Sequence, residues 1–224
     1  MSTIANDFQK YALSNGISSF KLDRFNKQNS IINPYIVEER TGNPLQIDIF
    51  SKLFTDRILF LGAPIYEDVG NIINCQLLYM EMAMPSEPVK LYINSPGGSI
   101  YDGLSIYDTM NHISCPIHTT CMGLAASMAS IILTAGEKGN RMALPHSRIL
   151  VHQPMSGIPN GTQASDIEIA NKEIQILKKE LISILCEHSG VDYEKMKSLC
   201  DRDTWLTSTE AMELGLIDKV IIKS

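Results

Sequence analysis

Short apolar segments alternate along this chain with longer segments in which apolar residues recur every three or four positions. Residues 58–61, 89–93 and 117–121 have the length and composition of buried strands, whereas residues 69–84 and 102–112 have helical spacing. A repeat of strand, helix and strand requires crossover connections between parallel strands. The pattern therefore predicts an α/β fold built on a mainly parallel sheet.

The second half of the chain continues this pattern. Residues 141–144, 148–152 and 219–222 are predicted as further strands, and a long helix is predicted from about Asp166. The apolar stripe of that helix is more often part of a core than an interface, although in a projecting hairpin it could serve as both. The stripe consists of Ile167, Ala170, Ile174, Leu177, Leu181 and Ile184.

The first part of the chain differs from the rest. Residues 1–33 mix charged side chains with Ser, Asn and Gln, and Asn33-Pro34 discourages helix continuation. We predict a loosely ordered leader here, with an amphipathic helix over residues 4–13 that docks on the body as the alternative. Residues 34–224 are predicted to form one domain, because 224 residues is the size of a single α/β core.

Composition argues against several classes of partner and cofactor. A net charge of −6, without clustered Lys and Arg, argues against nucleic acid. The five cysteines are an odd number without a CxxC pair, which predicts neither disulfides nor a metal site and fits a reducing cytoplasm. No signal-peptide core or bilayer-length apolar run is present, so no membrane partner is expected.

Small residues surround a serine in the segment Gly123-Leu-Ala-Ala-Ser127-Met-Ala-Ser130, where a predicted strand gives way to a helix. Small neighbours allow a substrate backbone to approach closely. Unpaired N–H groups at a helix N-terminus also favour developing negative charge. Ser127 is therefore a candidate nucleophile, although a helix start packed tightly on a sheet would give the same pattern.

The loop Asn94-Ser-Pro-Gly-Gly98-Ser99 directly follows a predicted strand. Pro and paired Gly permit a turn that presents backbone N–H groups outward. Such groups can form an oxyanion hole, in which one donor lowers the barrier by roughly 3 to 4 kcal/mol. An ordinary tight turn is the alternative.

A serine nucleophile needs a base, and the base needs a carboxylate that fixes its tautomer. His152 is the best base candidate, because it ends an apolar strand where side chains commonly face a cleft. Asp201 and Asp203 are both candidates for the carboxylate, and spacing alone does not choose between them. A Ser-Lys dyad with Lys138, which lies in a glycine-flanked turn, is the main rival.

Five blocks of the sequence resemble the proteolytic subunit of the ATP-dependent Clp protease, a family of serine peptidases. They are INSPGGSIYDGLSIYDTM, CMGLAASMAS, LPHSRILVHQP, SDIEIA and DRDTWLTSTEAMELGLID, in the family's order. The resemblance covers about residues 34–223 and implies a crotonase-like βα spiral. It further implies a protruding strand-helix handle that includes residues 157–162 and the helix from Asp166.

The resemblance also implies site residues. The family's nucleophile falls on Ser127, its general base on His152 and its orienting aspartate on Asp203. Its oxyanion donors fall on the backbone N–H groups of Gly98 and Met128. The second of these agrees with the general expectation that the residue after a nucleophile donates its own N–H.

Family members are serine endopeptidases that stack as two seven-membered rings around a chamber. They degrade unfolded polypeptide, delivered by a hexameric AAA+ unfoldase, and Tyr92 would help to line a hydrophobic dock for that partner. The unfoldase uses the ATP, so no cofactor is expected here, and the chain has no P-loop sequence. Two rivals are a crotonase-type acyl-CoA enzyme and a non-enzymatic ring subunit, and the filled triad positions argue against both.

Overall fold

The structure is a computed structural model that describes residues 10, 13, 14, 18, 35–40, 43–157 and 161–222. Of the predicted leader over residues 1–33, Lys10, Leu13 and Ser14 are helical and Ser18 is not. The rest of that segment, and with it most of the alternative helix, lies outside the described residues. No helix in the described ranges is long and apolar enough to cross a membrane.

The described residues form nine strands and seven helices. The strands are β1 (Tyr35–Arg40), β2 (Asn43–Asp48), β3 (Ile58–Leu61), β4 (Val89–Ser95), β5 (Ile117–Ala126), β6 (Arg141–Ala143), β7 (Arg148–Val151), β8 (Thr204–Thr207) and β9 (Lys219–Val220). The helices are α1 (Ile49–Thr55), α2 (Glu67–Ala83), α3 (Ile100–His112), α4 (Met128–Thr134), α5 (Ala164–Ser189), α6 (Tyr193–Leu199) and α7 (Ser208–Glu213). Strands and helices alternate from β3 to α4, as the sequence predicts.

Seven strands form one sheet, in which β3, β4, β5, β6 and β9 are successive parallel neighbours. β5 is ten residues long and pairs with two further strands, through residues 119–121 with β6 and through residues 124–126 with β7. β8 then pairs antiparallel with β7. The predicted α/β fold with a mainly parallel sheet is therefore confirmed, and the sheet branches at β5.

The core that fixes β5 lies between the sheet and the helices. β4 shows the alternation of a strand with one covered face, because Val89, Leu91 and Ile93 are fully buried while Lys90 is exposed. Helix α4 is buried along its whole length. Burial of each Val, Leu or Ile side chain contributes about 1.5–3 kcal/mol to the free energy of unfolding. The end of β5 and the start of α4 are therefore held firmly in place.

Helix α5 has the predicted apolar stripe, but only part of the stripe belongs to the core. Leu177, Leu181 and Ile184 are buried, whereas Ile167 and Ala170 are exposed. Helical spacing identifies an apolar face and does not identify what covers it. The first half of α5 therefore has exposed apolar side chains that no other described part of this chain covers.

Several regular elements were not evident from the sequence. The hairpin of β1 and β2 was missed because the charged residues over positions 38–40 hide its alternation, and α1, α6 and β8 were missed because each is short. The last strand is shorter than predicted and ends at Val220. Helix α7 begins with a reciprocal capping box between Thr207 and Glu210.

A buried ion pair ties the last part of the chain to β6. Arg141 Nη2 lies 2.6 Å from Asp218 Oδ1, and Arg141 Nε lies 2.9 Å from Asp218 Oδ2. Burial alone would raise the pKa of Asp218, but hydrogen bonds from Arg141 and from the Gly139 N–H outweigh burial and hold this pKa below its usual value. The turn before β9 is therefore fixed by charge as well as by the strand pairing.

We predict that Asp218→Asn lowers the free energy of unfolding at neutral pH by about 3 kcal/mol, because buried Arg141 loses its counter-ion. The folded-state pKa of Asp218 is depressed, so its stabilising effect is present above the unfolded-state pKa and is lost as pH falls through the folded-state pKa. Urea unfolding should therefore show a difference between wild type and variant that shrinks in acid.

The matched control for this prediction is Glu194→Gln, which removes the exposed ion pair with Lys197. Because solvent screens that pair, the control should unfold at the wild-type midpoint. A difference between wild type and Asp218→Asn that stays the same size in acid would contradict the prediction.

Candidate active site

Ser127 lies between β5 and α4 in a backbone conformation that few non-glycine residues adopt. Its φ and ψ angles are 55° and −125°, and such angles store roughly 1–3 kcal/mol of strain. The Ser127 N–H donates to Leu150 O over 2.9 Å, which holds the residue against the end of β7. Ser127 is the N-cap residue of α4, yet its side chain makes no capping hydrogen bond, so the hydroxyl is available to another partner.

His152 follows the last residue of β7 and contacts this hydroxyl, with its Nε2 2.7 Å from Ser127 Oγ. β5 and β7 are parallel neighbours in which Ala126 pairs with Leu150. The residues that follow the two strands therefore emerge together at one edge of the sheet. The imidazole is within the distance at which a base can accept the hydroxyl proton.

The structure distinguishes the two candidate carboxylates. β8 runs antiparallel to β7, so the residue before β8 lies beside the residue after β7. Asp203 Oδ1 is accordingly 3.2 Å from His152 Nδ1. Asp201 contributes to this region through its backbone oxygen, which accepts a hydrogen bond from the Gln153 side chain.

Lys138, the rival base, lies at the other end of the sheet. The N–H of its neighbour Glu137 donates to Ile117 O at the first residue of β5, whereas Ser127 follows the last residue of that strand. A strand of this length spans roughly 30 Å. The structure therefore does not bring Lys138 to Ser127.

The glycine loop after β4 contacts the start of α4. A Cβ atom at Gly97 would lie 2.9 Å from the Met128 backbone nitrogen, and a Cβ atom at Gly98 would lie 2.1 Å from Ile65 O. Gly98 also forms a parallel bridge with Ile65, which fixes the loop. Met128 is the first residue of α4, so its N–H has no acceptor within the helix. Gly98 and Met128 thus place two candidate backbone donors in the cavity that Ser127 also lines.

That cavity has a volume of about 90 Å³. Its walls are mostly apolar and come from α4, α5, the end of β7 and the segment after it, including Ile131, Val151, Pro154, Leu181, Ile182 and Leu185. Gln153 and Lys178 contribute polar groups, and Lys178 Nζ donates to Gln153 Oε1 over 2.7 Å. A pocket of this kind suits an apolar side chain held next to the hydroxyl.

Tyr92, the predicted partner-binding residue, lies elsewhere. It sits on β4 between Phe60 of β3 and Thr120 of β5. The alternation of β4 places its half-buried side chain on the face opposite the buried Leu91 and Ile93. The structure thus leaves Tyr92 on the uncovered face of the sheet and apart from the cavity.

The site brings together a hydroxyl, an imidazole, a carboxylate and backbone N–H groups. A hydroxyl activated in this way can attack a carbonyl carbon, and backbone donors can stabilise the oxyanion that results. This is the acyl-transfer chemistry of the serine hydrolases.

A sequence model of the Clp protease family matches residues 41–224. A protein of Bacteroides fragilis strain YCH46, named ATP-dependent Clp protease proteolytic subunit, is 52% identical over 220 residues, which are 97% of this chain and 99% of that protein. The protein of the same name from Porphyromonas gingivalis is 49% identical over 221 residues, or 98% of this chain and 99% of that protein. The chain belongs to the Clp protease family.

Membership of this family confirms the predicted resemblance and the predicted class of enzyme, a peptidase. Sequence reasoning missed two residues around the site. Ile65 supports Gly98 from a loop with no recognisable motif, and Gln153 was visible only as the residue after His152. Their partners come from distant parts of the chain, so no local pattern indicates either contact.

We predict that Gly97→Ala lowers kcat for peptide hydrolysis by about a hundredfold or more, because the added methyl group would displace the donor loop. Gly97 has φ +83°, and its Cβ would also lie 2.5 Å from Ala126 O. The matched control is Gly139→Ala, at φ +93°, where the new Cβ would have no atom of the described residues within 4 Å apart from those of its chain neighbours.

Both substitutions strain the backbone, so both should lower the thermal midpoint, but only Gly97→Ala should lower kcat. Equal losses of kcat in the two variants would contradict the prediction, because they would show that the close approach of Gly97 to α4 is not the cause of the loss.

Proposed function

We propose that this chain is the proteolytic subunit of an ATP-dependent protease and that Ser127, His152 and Asp203 are its catalytic triad. The observation that carries the proposal is the 2.7 Å contact between Ser127 Oγ and His152 Nε2, with Asp203 at the other ring nitrogen. Relatives about half identical over nearly the whole chain are named as proteolytic subunits of ATP-dependent Clp protease, which supports it.

In the proposed acylation step, His152 accepts the proton of Ser127 Oγ as that oxygen bonds to the peptide carbonyl carbon. Asp203 fixes the imidazole tautomer and stabilises the imidazolium. The carbonyl oxygen becomes an oxyanion, which accepts hydrogen bonds from the N–H groups of Gly98 and Met128. The imidazolium then protonates the leaving amine, and the acyl group stays on Ser127.

In the proposed second step, water replaces the leaving amine beside His152. The imidazole accepts a proton from this water as its oxygen attacks the ester, and then returns a proton to Ser127 Oγ. The apolar cavity holds the side chain of the residue whose carbonyl reacts. The chain itself supplies every group in both steps, so we propose that it needs no cofactor.

We predict that Ser127→Ala abolishes hydrolysis of a short fluorogenic peptide and labelling by a fluorophosphonate, because no nucleophile remains. Asp203→Ala should lower kcat by a factor on the order of 10⁴, because the imidazole loses the carboxylate that orients it. Asp201→Ala should stay largely active, since Asp201 meets this region through its backbone oxygen.

Full activity in Ser127→Ala would overturn the serine-peptidase assignment. Strong loss in Asp201→Ala with little loss in Asp203→Ala would reassign the carboxylate. Absence of labelling in the wild type would favour the two rival functions, an acyl-CoA enzyme of the crotonase type or a structural ring subunit, since neither requires a reactive serine.

We also propose that the fold is a crotonase-like spiral whose handle is the first half of α5 with the segment before it. In this proposal two heptameric rings stack around a chamber in the cytoplasm, and a hexameric AAA+ unfoldase delivers unfolded polypeptide to it. Tyr92, on the uncovered face of the sheet, is proposed as part of the unfoldase dock. The five free cysteines support a reducing compartment.

Exposed apolar side chains support the proposed handle contact. Met155, Ile169 and Ile176 are 78%, 64% and 58% exposed. Ile169 and Ile176 lie seven residues apart on one face of α5, and Met155 lies in the segment after β7. Large exposed apolar side chains of this kind are typical of an interface. In the proposed assembly, the second ring covers these exposed side chains.

We predict that Ile169→Asp halves the mass of the assembly in analytical ultracentrifugation, because a charge would replace an apolar contact between rings. Asn171→Asp is the matched control, since residue 171 is also exposed but lies on the other side of the helix. An undiminished mass in Ile169→Asp would contradict the proposed handle interface.

A further inference from the structure

The Asp203 carboxylate is the most exposed member of the proposed triad. Its side chain is 64% exposed, against 10% for His152. The turn that carries it is anchored at Thr204, whose hydroxyl donates to Leu199 O over 2.6 Å. Before that anchor the turn is loosely held, since the Asp201 N–H reaches Ser198 O only at 3.3 Å. Contacts from outside the turn must therefore help to keep the carboxylate beside the imidazole.

Gln153 supplies such a contact. Its Nε2 donates to the backbone oxygen of Asp201, two residues before Asp203. Gln153 itself directly follows His152, so the bond joins the segment of the base to the segment of the carboxylate. Apart from the contact of Asp203 with His152, no other hydrogen bond among the described residues joins residues 152–155 to residues 200–203.

Lys178 of α5 determines which way the Gln153 amide faces. Its ammonium donates to Gln153 Oε1 over 2.7 Å, and a hydrogen bond from a charged donor is stronger than one between neutral groups. A flipped amide would place its NH₂ group against the ammonium and its oxygen against the Asp201 oxygen, and neither pair can form a hydrogen bond. Lys178 therefore selects the amide orientation that donates to the turn.

The surroundings of Lys178 leave this contact without a competing counter-ion. Cys200 lines the same cavity, but burial raises the pKa of its thiol to about 11, so the thiol stays neutral. Within the described part of the chain Lys178 forms no ion pair, and Gln153 Oε1 is its acceptor.

We propose, on the basis of the proposed triad, that Lys178 and Gln153 are positioning residues that hold Asp203 against His152. Neither residue touches the reacting atoms. Lys178 orients the Gln153 amide, the amide holds the Asp201 carbonyl, and the turn then presents Asp203 to the imidazole.

The first test compares Lys178→Met, which keeps an unbranched apolar stem and removes the ammonium, with Lys179→Met as the control. Lys179 is exposed on the same helix, and among the described residues its side chain has no hydrogen bond or ion pair. Lys178→Met should lower kcat for a short fluorogenic peptide roughly tenfold, as expected for the loss of a charged hydrogen bond, with KM nearly unchanged. Lys178→Arg should recover most of this loss, and Lys179→Met should match wild type.

Gln153→Glu tests the second link. A glutamate keeps an acceptor for Lys178 but loses the Nε2 donor to the Asp201 oxygen. It should therefore lower kcat by about the same factor as Lys178→Met, again roughly tenfold. This variant carries the test if Lys178→Met fails to assemble, and analytical ultracentrifugation checks the assembly of each variant.

The decisive measurement repeats Lys178→Met in an Asp203→Ala background, with the rate of fluorophosphonate labelling as the readout. Residues that act only through Asp203 should have no further effect once that carboxylate is gone. The same loss in both backgrounds would overturn the proposal, because it would show a general structural role or a direct effect on the cavity.

Two failures are distinguishable by these measurements. If wild type hydrolyses peptide and is labelled at Ser127, but Lys178→Met and Lys179→Met have the same kcat, the positioning role is wrong and the proposed triad stands. If wild type is not labelled, the proposed triad is wrong, and with it the positioning role that rests on it.

Discussion

The branching of β5 is the constraint on which the rest of the structure depends. One ten-residue strand pairs with β6 through its first half and with β7 through its second half. Because β7 runs parallel to β5, Ser127 and His152 leave the sheet at the same edge. Because β8 runs antiparallel to β7, Asp203 approaches that edge from the opposite direction. Strand pairing thus brings three residues that are far apart in sequence to one edge of the sheet.

Backbone strain at the site is balanced by contacts around it. Ser127 holds a positive φ angle because its N–H is bonded to Leu150 and because the buried helix α4 begins immediately after it. The neighbouring loop tolerates its own unusual angles only because Gly97 and Gly98 have no Cβ atom to collide with α4 and with Ile65. In this conformation the Ser127 hydroxyl makes no capping hydrogen bond to the N-terminus of α4.

Periodicity predicted the parallel sheet, and residue chemistry predicted which side chains could react, but neither could complete the site. Spacing could not distinguish Asp201 from Asp203 as the carboxylate, since both lie in one turn. The structure distinguishes them because β8 pairs antiparallel with β7 and places Asp203 beside His152, but β8 is too short to recognise in the sequence. The family resemblance selected Asp203, and the geometry places that carboxylate at the imidazole. Lys178 could not be recognised, because it lies 25 residues from Gln153 and its neighbours form an ordinary amphipathic helix.

Helix α5 connects the core, the cavity and an exposed surface. Its second half belongs to the core, Lys178 reaches the cavity, and its first half exposes apolar side chains. Ile169 and Lys178 are separated by about 14 Å along one helix, since each residue adds about 1.5 Å. A helix is stiff over this length, so in the proposed arrangement a shift of the exposed half also moves the Lys178 ammonium. A partner on the exposed half would therefore alter catalysis only if it favoured one position of the helix over another; equal binding to both positions would leave the contact with Gln153 unchanged.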